Sequence, residues 1–184
     1  SIMIGDTTTG TIDAANYNTG LGVDVFAALT SGDDNVAVGK GALTSNTTGT
    51  ENVAVGADAL ALNTTASNNS AVGHNALYAN TTGATNSAVG DSALVSNTTG
   101  SDNAAFGAGA LASNTTASNN TAIGRKALLA NTTGTENVAV GTEALEANTT
   151  GGSNTALGMR AMEATTTGGN NTAVGIFAMG VITT

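Results

Sequence analysis

The sequence predicts an all-β parallel solenoid with one coil for every seventeen residues, and three observations carry that reading. First, the phrase Asn-x-Ala-apolar-Gly begins at Asn35, Asn52, Asn69, Asn86, Asn103, Asn120, Asn137, Asn154 and Asn171, always seventeen positions on. Second, the apolar runs are short, rich in β-branched residues, and cut by Gly and by Asn-Thr-Thr, which are strand and turn signals. Third, a unit of this length is too short for the helix pairs of α-solenoids, which need more than about thirty residues.

Two further steps back from Asn35 place units at Asn18 and Ser1, so the chain makes ten full units and most of an eleventh. The expectation is one domain, 1–184, of about eleven coils: degenerate coils over 1–34, regular coils over 35–175, and an apolar end over 176–184. At a parallel spacing of about 4.8 Å the rod is roughly 50 Å long.

Within the unit, with positions counted from its first Asn, each element has a local reason. Positions 1–5 read as a strand that ends at a Gly present in every unit, Gly5 to Gly175. Positions 8–11 read as a second strand and 12–17 as the wider turn. Side chains alternate along a strand, so the larger apolar residue at position 4 (Val38, Val55, Phe106 and their equivalents) is expected inside, with Leu at position 9. Position 3 then points out, as does position 8, yet both are Ala in all nine regular units. Two uninterrupted Ala columns beside a Gly column read as a flat surface that another chain approaches closely. Ala37, Ala54, Ala88, Ala105 and Ala122 are therefore candidate self-association residues. Positions 12–14 are Asn-Thr-Thr in seven units, from Asn46 to Asn148. These triplets are formally glycosylation sequons, but in-register stacking explains them better, with Asn over Asn and Thr over Thr forming side-chain ladders.

The two ends read differently from the soluble caps that solenoids usually carry. The chain opens with Ser-Ile-Met-Ile-Gly and closes with Gly-Ile-Phe-Ala-Met-Gly-Val-Ile-Thr-Thr. Ile2 and Ile4 at one end, with Ile176, Phe177, Met179 and Ile182 at the other, are candidates for end-to-end stacking into a filament. Such a contact does not close on itself, so it builds fibres. A piece cut from a longer rod is the other reading of the same ends.

Composition narrows the function classes. The net charge is −9 with only four basic residues, Lys40, Arg125, Lys126 and Arg160, which argues against nucleic acid and anionic membranes. No apolar run approaches the roughly 20 residues of a membrane-spanning helix. Cysteine is absent and His74 is the one histidine, at a variable position, so neither a zinc site nor a nucleophilic triad is expected. Asp33–Asp34, Glu143 and Glu146 are dispersed carboxylates without the cleft a glycosidase needs. Gly39-Lys40-Gly41 lacks the spacing of a phosphate loop. The sequence therefore predicts no catalytic, cofactor or metal residues, and Ser92 and His74 are expected to be without function.

Phrases such as Asn86-Ser-Ala-Val-Gly-Asp-Ser-Ala-Leu94 and Asn120-Thr-Ala-Ile-Gly-Arg-Lys-Ala-Leu128 resemble the YadA-like head repeats (Hep_Hag repeats) of trimeric autotransporter adhesins. They are closer still to the longer Asn-Thr-Ala-Ile-Gly repeats of phage tail fibres and bacterial surface fibres. The resemblance covers 35–175 clearly and 1–34 loosely. It implies a left-handed parallel β-roll, three chains about an axis, an extracellular, cell-surface or virion location, and attachment to a host or surface ligand without enzymatic activity. The adhesin heads use shorter coils, and the extra residues here fall in the Asn-Thr-Thr turn.

The expectation is thus a non-enzymatic, self-associating structural fibre module whose principal partner is itself, as filament or trimer. A trimeric adhesin head is the alternative, and an ice-binding solenoid the third reading. For the last, Asn at position 12 and Thr at 14 are expected on one face and Thr at 13 on the other. That leaves one threonine column per face, where a doubled array would bind ice better.

Overall fold

The computed structural model describes residues 15–180 and the strand Ile2–Ile4. Eleven three-residue strands recur at the period of the sequence: β1 (Ile2–Ile4), β2 (Thr19–Leu21), β3 (Val36–Val38), β4 (Val53–Val55), β5 (Ser70–Val72), β6 (Ser87–Val89), β7 (Ala104–Phe106), β8 (Thr121–Ile123), β9 (Val138–Val140), β10 (Thr155–Leu157) and β11 (Thr172–Val174). They form one parallel sheet in chain order. The register is always one unit, so Ala88 lies over Ala105 and Val89 beside Phe106. Nine complete seventeen-residue coils, 18–170, lie among the described residues, where about eleven were expected over the whole chain. No helix is present that is long and apolar enough to cross a membrane, among the described residues.

The sheet is only the most regular part of a ladder that runs around the whole coil. Backbone N–H groups donate alternately to the coil above and the coil below. Ser87 N–H donates to Asn103 O at 2.8 Å, Gly90 N–H to Val72 O at 2.8 Å and Leu94 N–H to Ala110 O at 3.0 Å. Many backbone groups in the turns are thereby paired as those in strands are, which burial demands.

The expected second strand at positions 8–11 is absent among the described residues, and the reason is a change of backbone hand. Leu43, Leu60, Leu77, Leu94, Leu111, Leu128, Leu145 and Met162, all at position 9, have φ between 51° and 55°. A left-handed residue breaks the alternation of an extended strand, so the adjacent Ala at 8 and Leu at 9 both face inward. Ala93 and Leu94, like their equivalents, are fully buried. The left-handed conformation costs about 1–2 kcal/mol per L-residue, and burying a leucine returns about 2–3 kcal/mol. Burial wins.

The first strand is inverted relative to expectation. Ala37, Ala54, Ala88, Ala105 and Ala122 are each 0% exposed and line the core, whereas Val38 is half-buried and Phe106 is 42% exposed. The interior opposite the leucine column has room for a methyl group and nothing larger. Volume therefore overrides hydrophobic rank: the alanine goes in and the larger apolar residue at position 4 goes out.

The rest of the interior is amide. Asn at positions 1 and 12 is buried in coil after coil. In the coil 86–102, Asn86 Nδ2 donates to Asn69 Oδ1 at 3.2 Å and to Gly100 O at 2.9 Å. Asn97 Nδ2 donates to Asn80 Oδ1 at 3.0 Å and to the same Gly100 O at 2.9 Å. Asn86 Oδ1 in turn accepts from the backbone N–H and the Nδ2 of Asn103, both at 3.1 Å. Both hydrogens of each of these amides are used, and the carbonyl at position 15 takes one from each column. The Asn-Thr-Thr triplets are ladder rungs: their asparagines, Asn46 to Asn148, are 0% exposed.

Two tests follow. The position-12 column ends where Thr165 replaces Asn, leaving Asn148 Oδ1 and Thr165 Oγ1 buried without a partner. Thr165→Asn should stabilise the protein by about 1 kcal/mol, read as a higher denaturant midpoint; an unchanged or lower midpoint would show that the rung does not form. Gly90 has φ +133°, and a Cβ there would lie 2.7 Å from the carbonyl carbon of Gly107. Gly90→Ala should cost on the order of 2 kcal/mol, and a neutral effect would contradict the close stacking of this column.

Candidate functional site: the outer face of the strands

Among the described residues no pocket opens on the surface, so the candidate site is a face. The alternation of each three-residue strand from β2 onward turns positions 2 and 4 outward while position 3 is buried, as in β3, β4 and β7. Position 4 is apolar in every coil, from Leu21 through Val72, Val89, Phe106, Ile123 and Leu157 to Val174. These seven residues are exposed by 37% to 67%. Position 2 beside them is Val, Ser, Thr or Ala, and no charge falls at either position in any unit. The result is one uninterrupted strip, apolar along position 4 and uncharged throughout. Three strand residues are about 10 Å long and ten coil spacings about 48 Å, which makes on the order of 500 Å2 per chain. Position 4 supplies the apolar half of that outline, and Ser or Thr occupies position 2 in six of the ten coils.

The sequence-predicted self-association residues fare unequally. Ala37, Ala54, Ala88, Ala105 and Ala122 are inside the coil, so a partner chain cannot touch them; the surface assigned to them is formed by positions 2 and 4 instead. Ile176, Phe177 and Met179 are exposed on the last described coil. Phe177 also has the Arg160 guanidinium 5.6 Å from its ring centroid. The side chains of Ile2 and Ile4, and all of Ile182, lie outside the described residues. The signal for the true outer face was present in the sequence: position 4 is never polar, and position 2 never charged.

The rest of the surface carries the charged residues, interspersed with exposed apolar side chains such as Val23, Leu62, Tyr78 and Met159. On one flank, Arg125 pairs with Glu143, Arg160 Nε lies 3.0 Å from Glu143 Oε2, Arg160 Nη2 2.9 Å from Glu163 Oε1, and Lys126 Nζ 3.7 Å from Glu146 Oε1. Desolvation pushes the Glu143 carboxyl up, but the hydrogen bond from Arg125 and the charges of Arg125, Arg160 and Lys126 outweigh it and hold the group below its ordinary value. Glu143, Glu146 and Glu163 come within 4.8 Å of one another, and those three basic residues already neutralise them. On the same flank His74 Nδ1 is 2.9 Å from Asp91 Oδ1. The hydrogen bond with His74 holds the Asp91 carboxyl low against a smaller opposing desolvation. Ser92 Oγ donates to Asp91 Oδ2 at 3.3 Å and not to the imidazole, so this is no nucleophile–base pair.

The threonine turn also differs from expectation. Asn at position 12 is buried, while the position-14 threonines from Thr48 to Thr167 are exposed and the position-13 threonines beside them are mostly half-buried. Both threonine columns thus belong to one flank. The position-13 hydroxyls donate to the next coil, as Thr81 Oγ1 does to Thr98 O at 3.0 Å. Comparison with family models, with curated proteins and with solved structures finds no match for this chain.

Proposed function

We propose that this chain is a non-enzymatic structural module, a rigid left-handed rod that self-associates side by side to form the shaft of a surface fibre or filament. The observation that supports it is the uncharged strip on the outer strand face, apolar at position 4 in coil after coil. Leaving ten apolar side chains half in water forgoes burial worth about 25 cal/mol per Å2, and a folded chain gains nothing from this unless the strip is covered. End-to-end stacking through Ile176, Phe177 and Met179 would lengthen such a shaft, and attachment to a host surface would belong to the surface outside the strip.

The test is to charge the strip without touching the core. Val89→Glu with Ile123→Glu should leave the β-rich circular dichroism spectrum intact and convert an oligomer into monomers in sedimentation velocity. A wild-type protein that sediments as a monomer at high micromolar concentration would remove the proposal.

One observation favours a second reading. With the position-13 and position-14 columns on one flank, the regular doubled threonine array of an ice-binding surface is approached, although the position-13 hydroxyls are engaged internally. In this reading the wild-type protein inhibits ice recrystallisation and Thr99→Lys with Thr116→Lys abolishes the effect. A wild-type protein without that activity retires it.

A further inference from the structure

A rod made of one repeated unit has an alignment problem when it meets a copy of itself. Sliding by one coil, about 4.8 Å, still sets apolar strip against apolar strip. We propose that the partner on the strand face is a second copy lying parallel with no offset, each coil against the same coil of its neighbour, and that the Ala104–Phe106 coil sets the alignment. The inference rests on the self-association reading above. A second copy is the occupant that fits because only a solenoid of the same pitch stays in phase with the strip over its whole length.

The alignment is carried by the sizes of the outward pair in seven of the ten coils from β2 onward. The other three, Ser70 with Val72, Ser87 with Val89 and Thr172 with Val174, keep Val at position 4 beside a smaller residue and do not compensate. Where position 2 is Val (Val36, Val53, Val138), position 4 is also Val. Where position 4 is larger than Val, position 2 is Thr or Ala: Thr19 with Leu21, Thr121 with Ile123, Thr155 with Leu157. The bulkiest outward residue, Phe106, shares its coil with the smallest, Ala104, and both are on the surface of β7. Positions 2 and 4 are neighbours on the outer face of one strand, and nothing among the described residues covers that face to limit their combined size. Compensation is demanded if position 4 of one chain packs over position 2 of the next at the same level. A slip of one coil sets Phe106 over Thr121 or Ser87 and leaves Ala104 under Val89 or Ile123. One layer is then overfilled, or a serine hydroxyl is buried beneath a ring, while a neighbouring layer is underfilled. Overpacking and voids are both destabilising.

The experiment uses the whole chain. Ala104→Val should overfill the aligned layer and weaken self-association at least about tenfold in sedimentation velocity, with the thermal unfolding of the dilute monomer unchanged. Ala104→Val with Phe106→Val, which makes this coil like its Val–Val counterparts, should restore association and lose the alignment. Alignment is read by disulfides in equimolar mixtures of two single variants, since the wild type has no cysteine. On oxidation, Ser87→Cys should cross-link with Val89→Cys at its own level much more than with Val72→Cys one coil away, and the Val–Val background should narrow that difference. Association of Ala104→Val as tight as wild type, or cross-level disulfides as abundant as same-level ones, overturns the proposal, and so does an oligomer that forms no same-level disulfide. A wild type that stays monomeric fails the underlying reading instead, so the two failures are distinct.

Discussion

A coil only seventeen residues around encloses a space about one leucine wide, and the rest of the structure follows from that narrowness. The leucine at position 9 takes the space, so the strand opposite can send in only a methyl group. Position 8 is alanine beside every one of these left-handed leucines, because both side chains turn the same way, and the larger Val25 and Phe26 fit inside the coil 18–34 where position 3 is Gly20. Coil-to-coil contact at position 5 admits no side chain at all. What remains of the apolar content is forced outward, which is how a stable core and an exposed apolar face arise from one cause.

The same narrowness explains an interior lined with asparagine. A small core gives modest hydrophobic stabilisation, and two columns of side-chain amides add hydrogen bonds in a setting where water cannot compete. Buried amides are costly when unpaired, and within the columns they donate both hydrogens, to the coil before and to a carbonyl of their own coil, as Asn86 and Asn97 do. The arrangement also fixes pairing within the chain. A strand displaced by one residue would lose its amide partners on both columns at once, so satisfaction of the ladder selects the step of one whole unit.

Much of this was legible in the sequence, and what was not has a definite physical reason. The period, the parallel stacking, the inward Leu43 column, the Gly39 column and the Asn46-type ladder all follow from identical residues recurring in phase. The expected second strand fails because φ near +51° at a leucine has no local signal in sequence; Leu in a short apolar run looks extended. Hydrophobic rank alone turns Ala37 outward and Val38 inward, and the structure does the opposite because volume decides. The candidate interface therefore moves by one residue, from Ala88 to Val89, and with it to the opposite face of the strand. Asn-Thr-Thr departs from expectation for a related reason: strand alternation does not apply to a turn, and the two threonines share a flank.

The asparagine columns also give the rod an electrical direction. In every rung the Nδ2–H groups point toward the coil before and the Oδ1 toward the coil after, as between Asn103 and Asn86 or Asn114 and Asn97. Amide dipoles of about 3.5 D each add when they are aligned head to tail, and hydrogen-bonded chains polarise one another further. Two such wires run along the solenoid, with a donor pole toward the amino-terminal side and an acceptor pole toward the carboxy-terminal side. Parallel neighbours then set like poles side by side, a small repulsion that an apolar seam must exceed, whereas coaxial neighbours join donor to acceptor. The molecule is thus polar along its axis in spite of having almost no charge in its core.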